Sequence, residues 1–392
     1  MMNDAAREVI GSIDPSKSEL SIRWADGHES RFPAIWLLHA CACDRCGSTE
    51  SGVRHSNLAD LDPDACWERV DHHGDRIEIV WDDAHRSCFE TCWLRAHCLS
   101  ADARAERAHQ PTLWGSELQG DVPSYAYASV SADPDRRLEL LESIRDLGCA
   151  VLTDVPADPD RTAEVAGLIG LLRMTNYGIF ELESKPNPEI VGDSSAALVP
   201  HTDEMYRIDP PGITLFHVLK QSENGGDSTL IDGLQLARTL ATEDPGAFEL
   251  LCTTPARFHR HLREGRHFEI QAPIFRRESN GTVTGIRIND RCMAPVDAEA
   301  DVAVRFYRAV IELMRRINSG DGMITIHLQP GNVLVFDNQR LLHGRTEFDP
   351  SAGRHVRSCH VDLDEFYSSL RVALRERAVV DQWMTLRPKA SA

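Results

Sequence analysis

Residues 333–345 read Val-Leu-Val-Phe-Asp-Asn-Gln-Arg-Leu-Leu-His-Gly-Arg: a β-rich apolar run, a polar turn, and then His343. Far upstream stands His201-Thr202-Asp203. Two imidazoles and a carboxylate on distant strands form the 2-His-1-carboxylate set, which holds one face of Fe(II) and leaves the other positions open for a cosubstrate and O2. In a strand, residues i and i+2 project to one face, so His201 and Asp203 reach one metal while Thr202 points away. The third ligand must then come from a facing strand, and the run Asn332-Val333-Leu334-Val335-Phe336 supplies one. An H-x-D pair alone is a weak signal in a chain with 17 His and 61 Asp plus Glu. Its company strengthens it.

Arg354 follows His343, with Arg357 three residues on. A 2-oxoglutarate chelating iron through its keto-acid end leaves a distal carboxylate, which a permanently charged, bidentate Arg satisfies. The plainer alternative is a pair of solvated strand arginines.

Cys41-Ala42-Cys43-Asp44-Arg45-Cys46 packs three thiols into six residues, and His85 follows in Trp81-Asp82-Asp83-Ala84-His85. Three thiolates and one imidazole make a closed tetrahedral set suited to structural Zn(II). His39, His55, His72 and His73 compete for the fourth position, and Cys88, Cys92 and Cys98 are further candidates.

The 392 residues suffice for two domains with an ample core in the larger. Eleven cysteines, partly clustered, with no apolar leader, favour a reducing cytosol over a disulfide framework. The expectation is a cytoplasmic protein without a membrane span. A formal net charge of -19 disfavours nucleic acid and anionic membrane, whose phosphates are bound by clustered Lys and Arg.

Period-two alternation in Leu20–Trp24 and Arg76–Trp81 reads as a small β domain around the cysteines. The expected organisation is a zinc-binding domain over 1–105, a linker over 106–125 and a catalytic domain over 126–392. A helix is read from Arg136 to Leu147, stopped by Gly148, then a strand at Cys149–Leu152. Val302, Phe306, Ala309, Val310, Leu313 and Ile317 recur at helical spacing. Short strands punctuated by Gly and Pro suit a double-sheet jelly roll, a double-stranded β-helix within a mainly β, α+β chain. No internal repeat is read.

Leu172-Arg173-Met174-Thr175-Asn176-Tyr177-Gly178, His201-Thr202-Asp203, Gly225-Gly226-Asp227-Ser228, Val335-Phe336-Asp337-Asn338, Leu341-Leu342-His343-Gly344-Arg345 and Arg354-His355-Val356, in this order, resemble the gamma-butyrobetaine and trimethyllysine hydroxylases. These belong to the TauD-like Fe(II)/2-oxoglutarate dioxygenases, and the resemblance covers residues 15–375. It implies iron at His201, Asp203 and His343, 2-oxoglutarate at Arg354 and Phe216, structural zinc at Cys41, Cys43, Cys46 and His85, and a homodimer. It also implies oxidation of 2-oxoglutarate to succinate and CO2, coupled to hydroxylation of a small amine- or betaine-like zwitterion with a carboxylate, phosphonate or sulfonate tail. The family's aromatic cage around a trimethylammonium group keeps one position here, Tyr177. Glu181, Asp193 and His360 stand at the other three, and such groups suit an amine with N–H donors. Asn289 matches the position contacting the substrate's anionic end, or serves a turn. Tyr206 and Arg207, just after the ligand pair, are candidates to line the entrance, with Arg207 either binding the anionic tail or forming a surface ion pair. Desaturation, or oxidative C–N or C–P cleavage, would use the same ligands. A non-catalytic zinc-containing binding protein is the reading from another class, as is a zinc hydrolase.

Overall fold

Leu20, Ile22 and Trp24 alternate along Glu19–Trp24, as do Ile77, Ile79 and Trp81 along Arg76–Trp81, and all are buried. The computed structural model describes residues 9–47, 53–55, 57–175, 177–183, 194–262, 265–349 and 353–376. Each of these strands is the centre of an antiparallel three-stranded sheet: Ile10–Pro15, Glu19–Trp24 and Glu29–Pro33 form one, and Trp67–His73, Arg76–Trp81 and Arg86–Glu90 the other. Each sheet runs directly into a short helix, Ala34–Ala40 or Thr91–Ala96.

The two halves repeat one another, contrary to the sequence reading. Trp24/Trp81, Asp26/Asp83, His28/His85, Ser30/Ser87, Phe32/Phe89, Trp36/Trp93 and Cys41/Cys98 coincide at a constant offset of 57 residues. The Trp24 and Trp81 indoles each donate to the serine six residues on, at 2.8 Å in both. Solvent-facing positions between these anchors have diverged, Arg23 against Val80 and Arg31 against Cys88, and this hides the repeat from periodicity alone.

The chain divides into two compact units at Gln110 and Pro111. The expected 106–125 linker is therefore corrected. Residues 101–107 are helical, capped by Ser100, whereas 111–125 pack into the larger unit. There Trp114 is buried and donates Nε1–H to the Leu147 carbonyl at 2.7 Å, and Ser124–Ala126 pairs in parallel with Cys149–Thr153.

In the larger unit a six-stranded sheet runs Ser124–Ala126, Cys149–Thr153, Val333–Asp337, Ile213–Lys220, His355–Val361, Phe180–Glu183. A four-stranded sheet runs Leu198–His201, Leu341–Arg345, Ser228–Asp232, Ile324–Ile326. Alternation separates their faces. Phe216, Val218, Leu334, Phe336 and Val356 meet Leu230, Ile324 and Leu341 between the sheets. Ile213, Leu215, Val333, Val335, Cys359 and Val361 pack outward beneath the helices Pro134–Leu147, Arg161–Ile169 and Leu363–Glu376. Ile231 and Leu342 pack under the helices Gly233–Glu243, Pro245–Thr253 and Ala300–Ser319. The result is a jelly roll with helices on both sides, an α+β fold. Gly148, at φ 80°, ends Pro134–Leu147 in the left-handed conformation, as read. Among the described residues, no helix is long and apolar enough to cross a membrane.

Candidate active site

His201 is the last residue of Leu198–His201 and lies opposite His343 of Leu341–Arg345 within the four-stranded sheet. Two expectations change here. The strand that supplies His343 is this neighbour, not 333–337, which belongs to the other sheet. Asp203 lies beyond the strand's end, in a turn, so strand pleating does not aim it. Asn338 does: its Oδ1 accepts the Asp203 N–H at 2.7 Å, while its Nδ2 donates to the carbonyls of Asp203 and Pro211, each at 3.2 Å. Thr202 turns the other way and exchanges hydrogen bonds with the Ile288 backbone. Asn338 had stood in a quoted motif without a role, and only the turn geometry supplies one.

The donor atoms of His201, Asp203 and His343 lie within 4.8 Å of one another. Each histidine Nε2 is 3.5 Å from a different oxygen of Asp203. His201 Nδ1 faces the Val199 carbonyl at 2.9 Å; a carbonyl only accepts, so Nδ1 carries the proton and Nε2 keeps its lone pair for a metal. Burial pushes the His343 imidazole down to about 3, hence neutral at physiological pH. Burial would raise the Asp203 carboxyl, but His343 and His201 hold it well below the usual range. Two imidazoles and one carboxylate in this arrangement fit Fe(II) as a facial set.

Phe216 stands edge-on to His343, ring centroids 5.4 Å apart. Arg354 is 6% exposed, yet no carboxylate pairs with its guanidinium among the described residues. Burial pushes it down to about 10, still charged. The Gly225-Gly226 turn lets the chain pass beside it: a Cβ on Gly225 would lie 2.0 Å from the Glu347 carbonyl, and one on Gly226 3.2 Å from Arg354 Cδ, and both φ are positive. A buried cation without a partner fits a dicarboxylate's free end.

Tyr177 reaches Tyr206, their hydroxyls 3.2 Å apart. His360 is buried on the inner face of the six-stranded sheet; its Nδ1 is 3.0 Å from Thr214 Oγ1 and its ring 5.7 Å from Phe180. Glu181 is a correction. Strand alternation puts Phe180 and Leu182 inward and Glu181 outward, where it is exposed and pairs with Arg357 and His355, each at 2.6 Å. The aromatic side chain that faces inward is Phe180, one residue earlier, against Tyr177 and His360. Asn289 proves to be a turn residue: its Oδ1 accepts from the Arg291 N–H and Nε–H as the cap of a short 3-10 turn. Asp193 lies outside the described residues.

Glu204 went unread. It directly follows Asp203, is 7% exposed, and sits in the left-handed region at φ 48°, a strained setting that residues keep mainly at functional sites. Arg207 pairs with Oε2 and spreads over the Phe268 ring at 4.4 Å. Glu204 Oε1 has no hydrogen-bond partner among the described residues and is 3.9 Å from His360 Nε2. An open pocket lined by Met174, Thr175, Arg207, Arg266, His267 and Phe268 adjoins this group. The signal in the sequence was an acid immediately after H-x-D.

In the smaller unit, Cys41, Cys43 and Cys46 Sγ converge on His85 Nε2 at 3.5, 3.2 and 3.5 Å. These are close to the edges of a tetrahedron with metal–sulfur bonds of about 2.3 Å and metal–nitrogen bonds of about 2.0 Å. Burial and the neighbouring Cys41 push the Cys46 thiol up to about 12, so a cation must hold the thiolate form. The donor set fits zinc. Neither His39, His55, His72 nor His73 joins this cluster.

Residues 107–360 match the family described as taurine catabolism dioxygenase TauD, TfdA family, and residues 12–88 and 68–133 match the gamma-butyrobetaine hydroxylase-like N-terminal family. The chain is 33% identical to a gamma-butyrobetaine dioxygenase of Pseudomonas sp. (strain AK-1), covering 93% of this chain and 96% of that one. It is 30% identical to the gamma-butyrobetaine dioxygenase of Homo sapiens over 91% and 95%, and 28% identical to a trimethyllysine dioxygenase of Meyerozyma guilliermondii over 90% and 93%. With its histidine and carboxylate donors gathered between the two sheets of a jelly roll, this chain belongs to the TauD, TfdA family of dioxygenases.

Proposed function

We propose that this 2-oxoglutarate-dependent non-heme iron dioxygenase hydroxylates an unactivated C–H bond of a small zwitterion whose cationic end is an amine bearing N–H. The iron and cosubstrate, when bound, supply the oxidation that splits O2 between succinate and the product hydroxyl, with CO2 released. His201, Asp203 and His343 would hold the metal, and Arg354 the distal carboxylate of 2-oxoglutarate, with Phe216 beside it. Asn338 fixes the Asp203 backbone through two hydrogen bonds, so positioning is built into the turn.

One observation carries the substrate reading: a buried carboxylate oxygen, Glu204 Oε1, without a hydrogen-bond partner among the described residues, near His360 and Tyr206, which meets Tyr177. An ammonium N–H satisfies that oxygen with a charge-assisted hydrogen bond, whereas a quaternary nitrogen has no proton to give. Arg207, on the other carboxylate oxygen, faces the pocket and suits the substrate's anionic tail.

The test is succinate formation by anaerobically purified protein with Fe(II), 2-oxoglutarate and O2, across paired free and trimethylated amines with carboxylate, phosphonate or sulfonate tails. Free amines should stimulate turnover, Asp203→Ala should abolish it, and Glu204→Gln should reduce the preference for N–H by about tenfold or more. A product one oxygen heavier identifies hydroxylation. Preference for the trimethylated partner would refute the role of Glu204 while leaving the dioxygenase intact.

A further inference from the structure

The repeat in the smaller unit sets out metal donors twice. At the offset of 57, His85 corresponds to His28, Cys41 to Cys98, Cys43 to Ser100 and Cys46 to Ala103. The halves exchange donors. Cys41 of the first approaches His85 of the second, Sγ to Nε2 3.5 Å, and Cys98 of the second approaches His28 of the first at 3.1 Å.

The local frames agree beyond these atoms. The backbone N–H of His28 donates to Asp26 Oδ1 at 3.0 Å, and that of His85 to Asp83 Oδ1 at 2.9 Å. After the cysteine, the chain turns the same way in both halves: the Cys43 carbonyl accepts from Gly47 N–H at 3.2 Å, and the Ser100 carbonyl from Arg104 N–H at 3.0 Å. Positions 100 and 103 therefore stand to Cys98 as Cys43 and Cys46 stand to Cys41.

We infer that the smaller unit is a tandem duplication with two quasi-equivalent metal positions, one complete at Cys41, Cys43, Cys46 and His85, the other reduced to the half-buried His28 and the buried Cys98. Two donors cannot close a tetrahedron around zinc. The lost pair has become a helix start: Ser100 Oγ now accepts the Ala103 N–H at 3.2 Å and begins Ala101–Arg107, while Cys98 Sγ lies 3.4 Å from Ser100 Oγ. The position is thus a latent site for zinc or another ion of similar ligand preference, such as Co(II), lacking two thiolates. This rests on reading the first cluster as a zinc site.

Full-length protein carrying Asp203→Ala and His261→Ala, so that neither the His201, Asp203 and His343 set nor the His259, His261 and His267 cluster takes metal, is compared with the same protein also carrying Ser100→Cys and Ala103→Cys. Elemental analysis after dialysis should find one zinc per chain in the parent and two in the variant. Adding His28→Ala should return the second to the parent value. With Co(II), the thiolate-to-cobalt absorption should rise by roughly the parent's own intensity in the double variant. Ala103 is only partly buried, so Ala103→Cys alone serves if the double variant fails to fold, and should bind an additional Co(II) with His28 and Cys98. Folded variants whose zinc and cobalt content equals the parent's would overturn the latent site. A parent without zinc would overturn the reading of the first cluster instead.

Discussion

Arg354 holds a full charge among buried neighbours, and no acid is paired with it among the described residues. Taking away a buried charge's partner costs about 2–5 kcal/mol, so Arg354→Ala should weaken 2-oxoglutarate by that amount, read as KM in the succinate assay and as affinity in anaerobic titration. Arg354→Lys should recover part of it, because a point charge cannot grip both oxygens. Unchanged KM in the alanine variant would place the cosubstrate elsewhere. Glu181 makes the opposite case. Its pairs with Arg357 and His355 lie on the outer face and are partly solvated, so Glu181→Gln should leave kcat and KM within about twofold and cost less than about 1 kcal/mol in urea unfolding. A loss of substrate affinity there would restore it to the site. Strand parity turns Glu181 outward, whereas Arg354 stands just ahead of His355–Val361 and is buried beside the Gly225-Gly226 turn.

At the scale of elements, the metal donors come from ends and turns more than from strand interiors. His201 closes one strand, Asp203 hangs in the turn behind Asn338, and Cys41, Cys43 and Cys46 follow the helix Ala34–Ala40. Turns this short have little apolar area of their own, so the zinc cluster must supply the order. Cys43→Ser should therefore collapse amide protection across Glu19–Trp24 and Arg76–Trp81, while the strands Ile213–Lys220 and Leu341–Arg345 keep theirs. Hydrogen exchange followed by mass spectrometry decides this, and equal protection in the variant would make the cluster dispensable.

Over the whole larger unit, burial has left several imidazoles uncharged. It lowers His217, takes His343 down to about 3 and His360 down to about 4, against an ordinary value of 6.5. The unfolded chain therefore binds protons first as acid is added, and stability present above pH 6.5 is lost as pH falls toward the folded values. Between pH 7 and pH 5 His343 and His360 each withdraw about 2 kcal/mol, and His217 acts in the same direction. Metal-free protein should show its thermal midpoint falling steadily over that interval, and a flat profile would mean that these rings are protonated in the fold.

The sequence by itself picked out the candidate donors His201, Asp203 and His343 with Cys41, Cys43 and Cys46, because metal chemistry restricts residue type; His85 was one of five competing histidines until the fold brought its Nε2 to the thiols. It also determined the sheet-rich catalytic unit and its supporting helices, whose apolar periods follow local geometry. Tertiary structure alone decided which sheet carries His343, that Asn338 aims Asp203, that Glu181 faces out while Phe180 faces in, and that Glu204 is left with an unsatisfied oxygen. A one-residue shift along a strand reverses the face of every side chain, and whether a polar atom has a partner depends on segments distant in the chain. Neither fact is local, so neither could be read from neighbouring residues.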